Sequence, residues 1–174
     1  EVKISPRIRS KTKADVYVNV MVFNRQFLLN LVEDAVTHGY TCFESDIVAK
    51  QLDSLKIYRY DFRGYYAGIN SMAAYYKHNM ELLEKTVRDE LFGARDIYTK
   101  VRDSAPSKYG EETVVKNSLI SDGCEIEGRV ENSILFRGVK VAKGACVRNS
   151  IIMQDTIIGS NASLDCVITD KNVV

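Results

Sequence analysis

Val115-Lys116-Asn117-Ser118-Leu119-Ile120, Val130-Glu131-Asn132-Ser133-Ile134-Leu135 and Val147-Arg148-Asn149-Ser150-Ile151-Ile152 share the form Val-x-Asn-Ser-apolar-apolar. A fourth, degenerate copy is Leu164-Asp165-Cys166-Val167-Ile168. The copies start 15, 17 and 17 residues apart, and shorter units such as Ser121-Asp122-Gly123-Cys124-Glu125-Ile126 and Phe136-Arg137-Gly138-Val139-Lys140-Val141 fill the intervals. The beat is about six residues, and self-similarity at a fixed period marks a stacked-repeat architecture.

Three such units per long copy suit a coil with three flat sides, each a short strand with an inward branched residue and a turn at the corner, which is a parallel β-helix. One coil cannot cover its own inner residues, so stability comes from stacking coils at about 4.8 Å, each shielded side chain contributing roughly 1.5–3 kcal/mol before entropy. Gly123, Gly138, Gly144 and Gly159 fall at expected corners. A β-sandwich would alternate at period two and has no reason to repeat Asn-Ser-apolar.

The 174 residues carry 24 Lys plus Arg against 23 Asp plus Glu, so no charge imbalance points to nucleic acid or to an acidic membrane. No stretch reads as a signal peptide or a membrane span. Cys42, Cys124, Cys146 and Cys166 show no Cys-x-x-Cys spacing, and the three in the repeat are expected as buried free thiols, which favours a reducing, cytoplasmic setting. The chain opens on Glu1-Val2-Lys3-Ile4 and closes on Val173-Val174 in mid-coil, and reads as a piece of a longer protein with the β-helix cut at its C-terminus.

Working outward from the repeat, residues 100–113 read as a linker within a polar stretch from Gly93 to Thr113, and residues 1–99 as the last part of an α/β domain. Val16 to Phe23 alternates as a strand covered on both sides. Asn24 caps a helix with Phe27, Leu28, Leu31, Val32 and Ala35 on one stripe, and Gly39 ends it. Phe43 to Leu52 reads as a shorter helix, Leu55 to Phe62 as a strand running into Gly64. Asn70 or Ser71 caps a helix with Met72, Tyr75, Tyr76, Met80 and Leu83 on one side, a face that reads as core or interface more than as a ligand platform.

Several of these stretches resemble a known family. Ile97-Tyr98-Thr99-Lys100, Pro106-Ser107-Lys108-Tyr109 and Lys116-Asn117-Ser118-Leu119-Ile120-Ser121-Asp122-Gly123-Cys124-Glu125-Ile126-Glu127-Gly128 resemble the junction and β-helix of bacterial glucose-1-phosphate adenylyltransferase, or ADP-glucose pyrophosphorylase. Phe62-Arg63-Gly64-Tyr65 and Tyr75-Tyr76-Lys77-His78-Asn79-Met80-Glu81-Leu82-Leu83 are similar to the end of its catalytic domain. The resemblance implies a nucleotidyltransferase domain, then a left-handed β-helix, in a tetramer of glycogen or starch synthesis. The reaction it implies joins ATP and glucose 1-phosphate, with Mg²⁺, into ADP-glucose and pyrophosphate.

The departures from that pattern matter as much. Family members follow Gly-Tyr with Trp-x-Asp-x-Gly-Thr, whose Asp helps hold the metal, whereas here Gly64-Tyr65-Tyr66-Ala67-Gly68-Ile69 places Gly68 at the carboxylate position. A hydrogen side chain cannot coordinate Mg²⁺. The sugar-side Asp-Phe-Gly-Lys-Asp appears as Cys42-Phe43-Glu44-Ser45-Asp46, in which Phe43 and Asp46 match and the rest do not. The resemblance therefore leaves Phe43, Asp46, Gly64 and Tyr65 as vestigial substrate positions, with no catalytic residue and no cofactor expected in this stretch. It is closest in kind to the D-type subunit of some Gram-positive bacteria, which pairs with a catalytic subunit in a hetero-oligomer. A small-molecule effector is a further implied partner, with Arg129, Arg137 and Lys140 as candidates by charge alone.

Two other readings stay open. Hexapeptide-repeat acyltransferases use a histidine general base, and residues 114–174 contain none; the two histidines are His38 and His78, expected in surface or structural roles. A pure assembly module would use an open coil end and outward apolar residues such as Phe136 or Ile152.

Overall fold

Each six-residue unit becomes one side of a triangular coil. In the computed structural model, which describes residues 15, 17–51, 53–93, 97–100 and 102–174, the first coil comprises β1 (Lys108–Tyr109), β2 (Val114–Lys116) and β3 (Leu119–Ile120). The second has β4 (Glu125–Ile126), β5 (Arg129–Glu131) and β6 (Ile134–Leu135), and the third β7 (Lys140–Val141), β8 (Cys146–Arg148) and β9 (Ile151–Ile152). The fourth has β10 (Ile157–Ile158) and β11 (Ser163–Asp165), its third side being a parallel bridge between Ile168 and Ile151. Like sides stack in parallel into three sheets, ordered β1-β4-β7-β10, β2-β5-β8-β11 and β3-β6-β9.

Register explains the core. Val115, Val130, Val147 and Leu164 form one inward row, Ile126, Val141 and Ile158 a second, and Ile120, Leu135 and Ile152 a third. Val130, Leu135, Val147 and Ile152 are fully buried. The Asn-Ser pair of each copy shapes a corner. Asn117, Asn132 and Asn149 have φ of 42°, 45° and 47°, a left-handed conformation that asparagine tolerates better than most residues. The serine that follows ties one coil to the next: Ser133 Oγ donates to Glu131 O at 2.7 Å and accepts the Ser150 N–H at 3.1 Å, and Ser150 Oγ repeats this with Arg148 O at 2.5 Å and the Val167 N–H at 3.1 Å.

Several expectations are corrected within the coil. The β-helix begins at Lys108, inside the stretch read as a linker, because β1 pairs with β4 although its polar Lys-Tyr sequence carries no repeat signature. Ile152 faces the core and Phe136 is half-buried, since in a two-residue strand the second apolar residue of each copy turns inward. Of the three repeat thiols only Cys124 is buried; Cys146 is half-covered, and Cys166, in the left-handed corner position of the fourth copy, is exposed. Gly123, Gly138 and Gly144 hold positive φ, but Gly159 does not.

The outward residues differ by face. On β2-β5-β8-β11, Lys116, Glu131, Arg148 and Asp165 alternate in sign in register, with Lys116 Nζ 3.9 Å and Arg148 Nε 3.3 Å from Glu131. On β3-β6-β9 the outward row is Leu119, Ile134, Ile151 and Ile168, and Ile134 and Ile151 are buried. An apolar row on an outer face has to be covered, and the same compact unit, Gly64–Val174, contains the helices α2 (Met72–Glu81) and α3 (Lys85–Arg88), followed by a π-helical turn Asp89–Gly93. Tyr76 of α2 donates its hydroxyl to Asn149 O at 2.6 Å, at the corner leading onto that face. Helix α2 starts at Ser71, whose Oγ accepts the Ala74 N–H at 3.1 Å.

The other unit, Glu1–Arg63, contains α1 (Arg25–Thr37), capped as expected by Asn24 and followed by Gly39 at φ 65°. Phe43–Val48 winds as a π-helical turn, shorter than the helix expected to Leu52, a residue outside those described. The two expected strands are not formed. Residues 17–23 and 55–62 have no ladder partner among the described residues, Asn19 bends the first with a φ of 62°, and Val22 and Tyr60 are 95% and 88% exposed. A strand is defined by its neighbours, and the alternation in these stretches reports a covering that this unit does not supply. Val16 lies outside the described residues.

Candidate functional site

The residues matched to the sugar-side motif lie in the first unit. Phe43 packs its ring edge-on against Phe23, centroids 5.7 Å apart. Asp46 Oδ2 accepts the N–H groups of Thr41 and Cys42 at 3.2 and 3.1 Å, and Oδ1 lies 3.2 Å from Lys50 Nζ. These bonds, the Cys42 N–H first among them, hold its carboxyl below the usual value. Asp46, inside the π-helical turn, thus ties down the segment that enters it, with both oxygens engaged.

Gly64, Tyr65 and Gly68 lie in the second unit, where side chains of α2 and the turn after it fix the segment. The Tyr65 N–H donates to Glu90 Oε1 at 2.6 Å. Its hydroxyl donates to Glu81 Oε2 at 2.6 Å, and the same oxygen lies 2.8 Å from His78 Nδ1. The bond to Glu81, assisted by desolvation and the carboxylate charge, pushes the Tyr65 phenol up to about 12, and the bonds from Tyr65 and His78 draw the Glu81 carboxyl below its ordinary value. Tyr65, Tyr66, Ala67, Ile69, His78 and Asn79, with Leu82 and Leu91, line an open cavity of about 350 Å³.

Gly68 has no left-handed φ, and a Cβ there would meet only the Tyr66 ring, at 3.4 Å from its hydroxyl. The backbone would accept a side chain, but none is there to ligate. Among the described residues no group of three or more His, Cys, Asp or Glu could hold a metal ion. Gly68 itself offers no side-chain donor to the Mg²⁺ that the resemblance implies.

The basic candidates do not converge. Arg129 pairs with Glu131 at 2.6 Å on one face, Lys140 pairs with Glu125 at 3.4 Å on another, and Arg137 lies in the turn between β6 and β7. His38 is exposed and stacks on Tyr40, centroids 5.5 Å apart, while His78 sits in the Tyr65–Glu81 cluster. That cluster escaped the sequence reading. Its visible half is His78-x-x-Glu81, an i,i+3 pair on one helix face; the Tyr65 contribution depends on a turn that spacing does not reveal.

Comparison with known proteins places these features in a family context. The family described as "GlmU-like, C-terminal hexapeptide" matches residues 103–174, and with it the β-helix is left-handed. The chain is 41% identical over 157 residues to "Glycogen biosynthesis protein GlgD" of Bacillus subtilis (strain 168), covering 90% of this chain and 46% of that protein. It is 47% identical over 131 residues to the protein of the same name from Geobacillus stearothermophilus, covering 75% and 38%. It is 32% identical over 160 residues to "Glucose-1-phosphate adenylyltransferase" of Fervidobacterium nodosum, covering 90% and 39%. The chain spans less than half the length of these relatives, and the resemblance read from its residues recurs in their names.

Proposed function

We propose that this chain is the C-terminal part of a glycogen-biosynthesis subunit of the glucose-1-phosphate adenylyltransferase kind, one that supports a catalytic partner and does not itself transfer the nucleotide. The observation that carries this reading is Gly68, which stands where the resembled family has its metal-holding acid. Without that carboxylate, the charge developing on the transferred phosphoryl oxygens loses the cation that would neutralise it. Asp46, the surviving acid of the sugar-side motif, is engaged with the Thr41 and Cys42 N–H groups, which fits a structural use.

The left-handed β-helix supplies the rigid element of a hetero-oligomer, a tetramer by the family resemblance, and a small effector would act on that assembly. Assembly alone, without any effect on turnover, is the second reading, favoured by the regular outer faces of the coil. An acyltransferase is disfavoured because residues 103–174 contain no histidine to serve as general base. The test is to assay ADP-glucose formation by the parent subunit alone, by a catalytic subunit alone and by the two mixed. Negligible turnover alone with a several-fold rise on mixing is expected; unchanged turnover on mixing rejects the activating role, and a co-sedimenting but unactivated mixture selects assembly.

A further inference from the structure

The cavity beside α2 has a polar inventory that constrains what could enter it. Ionised Glu81 can only accept, so His78 Nδ1, 2.8 Å away, carries a proton, and in a ring bearing that single proton Nε2 is left as an acceptor. Asn79 Nδ2 donates to Tyr75 O at 2.8 Å, which fixes the amide orientation and leaves Oδ1 as an acceptor too. The Tyr65 hydroxyl is spent on Glu81 and the Tyr65 N–H on Glu90. The remaining wall, from Tyr66, Ala67, Ile69, Leu82 and Leu91, is apolar or aromatic. A concave, largely apolar site with a few oriented polar groups is the ordinary form of a small-molecule site.

We propose that this cavity binds a small aromatic molecule bearing an O–H or N–H donor, neutral or cationic, with His78 Nε2 as the receiving atom and Glu81 as the residue that positions it. Anions are disfavoured by the same arrangement: Glu81 and Glu90 both bond to Tyr65, and of the cations nearby Lys77 lies 3.8 Å from Glu81 and is mostly exposed, while Arg88 is engaged with Leu82 O at 2.7 Å. A sugar phosphate would bring a dianion beside these carboxylates, so the ligand proposed here is of a different class.

The chain has two histidines, so His38, in the other unit, is an internal control. The full 174-residue chain, labelled with ¹⁵N, is titrated with phenol, and in parallel with benzoate and glucose 1-phosphate, while the ring nitrogens of both histidines and the methyl groups of Leu82 and Leu91 are followed by NMR. Expected are a protonated Nδ1 on His78 before titration and a saturable shift of its Nε2 and of both leucines with phenol, with dissociation in the millimolar range, no shift at His38, and none with either anion. His78→Phe should keep the leucine methyl dispersion and weaken phenol binding by about tenfold, the loss of one hydrogen bond to a half-buried acceptor. Should that variant not fold, Glu81→Leu gives the same reading, since a side chain with no acceptor would no longer hold the ring proton on Nδ1 and phenol affinity would fall. Absence of a saturable shift, benzoate binding as tightly as phenol, or a proton found on Nε2 in the free chain overturns the proposal.

Discussion

Tyr65 is held by its hydroxyl and its backbone, and its ionisation reports on both. Because its phenol is raised to about 12, the neutral form is favoured in the folded chain, so the stability it contributes is complete below about pH 10 and is lost as pH rises through about 12. Glu81 runs the other way: its lowered carboxyl contributes above the ordinary glutamate range and ceases to as pH falls through its folded value. A Glu81→Gln chain should therefore show the Tyr65 ring titrating nearer 10, measured from the ¹³Cζ resonance against pH. The corner glycines give a second residue-scale prediction. At Gly138, φ is 70° and a Cβ would overlap Asp155 Oδ1, whereas at Gly159 φ is ordinary and nothing lies within 4 Å. Gly138→Ala should cost about 1–3 kcal/mol in denaturant unfolding and Gly159→Ala under about 0.5 kcal/mol.

At the scale of the element, the repeated Asn-Ser is a device for joining coils. Ser133→Ala would leave the Ser150 N–H without its acceptor inside the stack, and a loss of about 1–3 kcal/mol is expected by chemical denaturation. In the fourth copy Cys166 occupies the left-handed position, at φ 56°, that asparagine holds in the other three. Cys166→Asn should raise the melting temperature slightly, by the equivalent of a few tenths to about 1 kcal/mol, because asparagine adopts that backbone at lower cost. The three-sided coil was legible in advance because Val-x-Asn-Ser-apolar-apolar encodes both an inward row and a corner in one short string. β1 was not, because Lys108-Tyr109 at the end of the stack needs only backbone pairing and carries no inward branched residue. The strands expected at Val16 to Phe23 and Leu55 to Phe62 failed for a different reason: alternation states how a segment would be covered, while the cover itself belongs to other segments. The Tyr65–Glu81–His78 cluster was hidden because a turn, not a period, brings its members together.

Across the whole molecule, coils touch only their neighbours, so stability is a sum of local contacts and the middle of the stack is the firmest part. Val130, Leu135, Val147 and Ile152 in the second and third coils are fully buried, while Tyr109 and Val115 in the first are 55% and 36% exposed. Amide hydrogen exchange should be slowest in β5, β6 and β8 and markedly faster in β1, and Leu135→Ala should cost about 2–5 kcal/mol while leaving the helices of the Glu1–Arg63 unit unchanged by circular dichroism. No described helix is long and apolar enough to cross a membrane, and in the outward apolar row Ile134 and Ile151 are buried.

The sign alternation Lys116, Glu131, Arg148, Asp165 sets a parity rule on how this rod can lengthen or shorten. Excising the second coil whole would set Lys116 against Arg148, and on the neighbouring side Lys108 against Lys140, two like-charge clashes from a cut that keeps every inward residue matched. Removing the second and third coils together instead sets Lys116 against Asp165 and Lys108 against the neutral Ile157, so both clashes vanish, and length variants that differ by two turns should be favoured over those that differ by one.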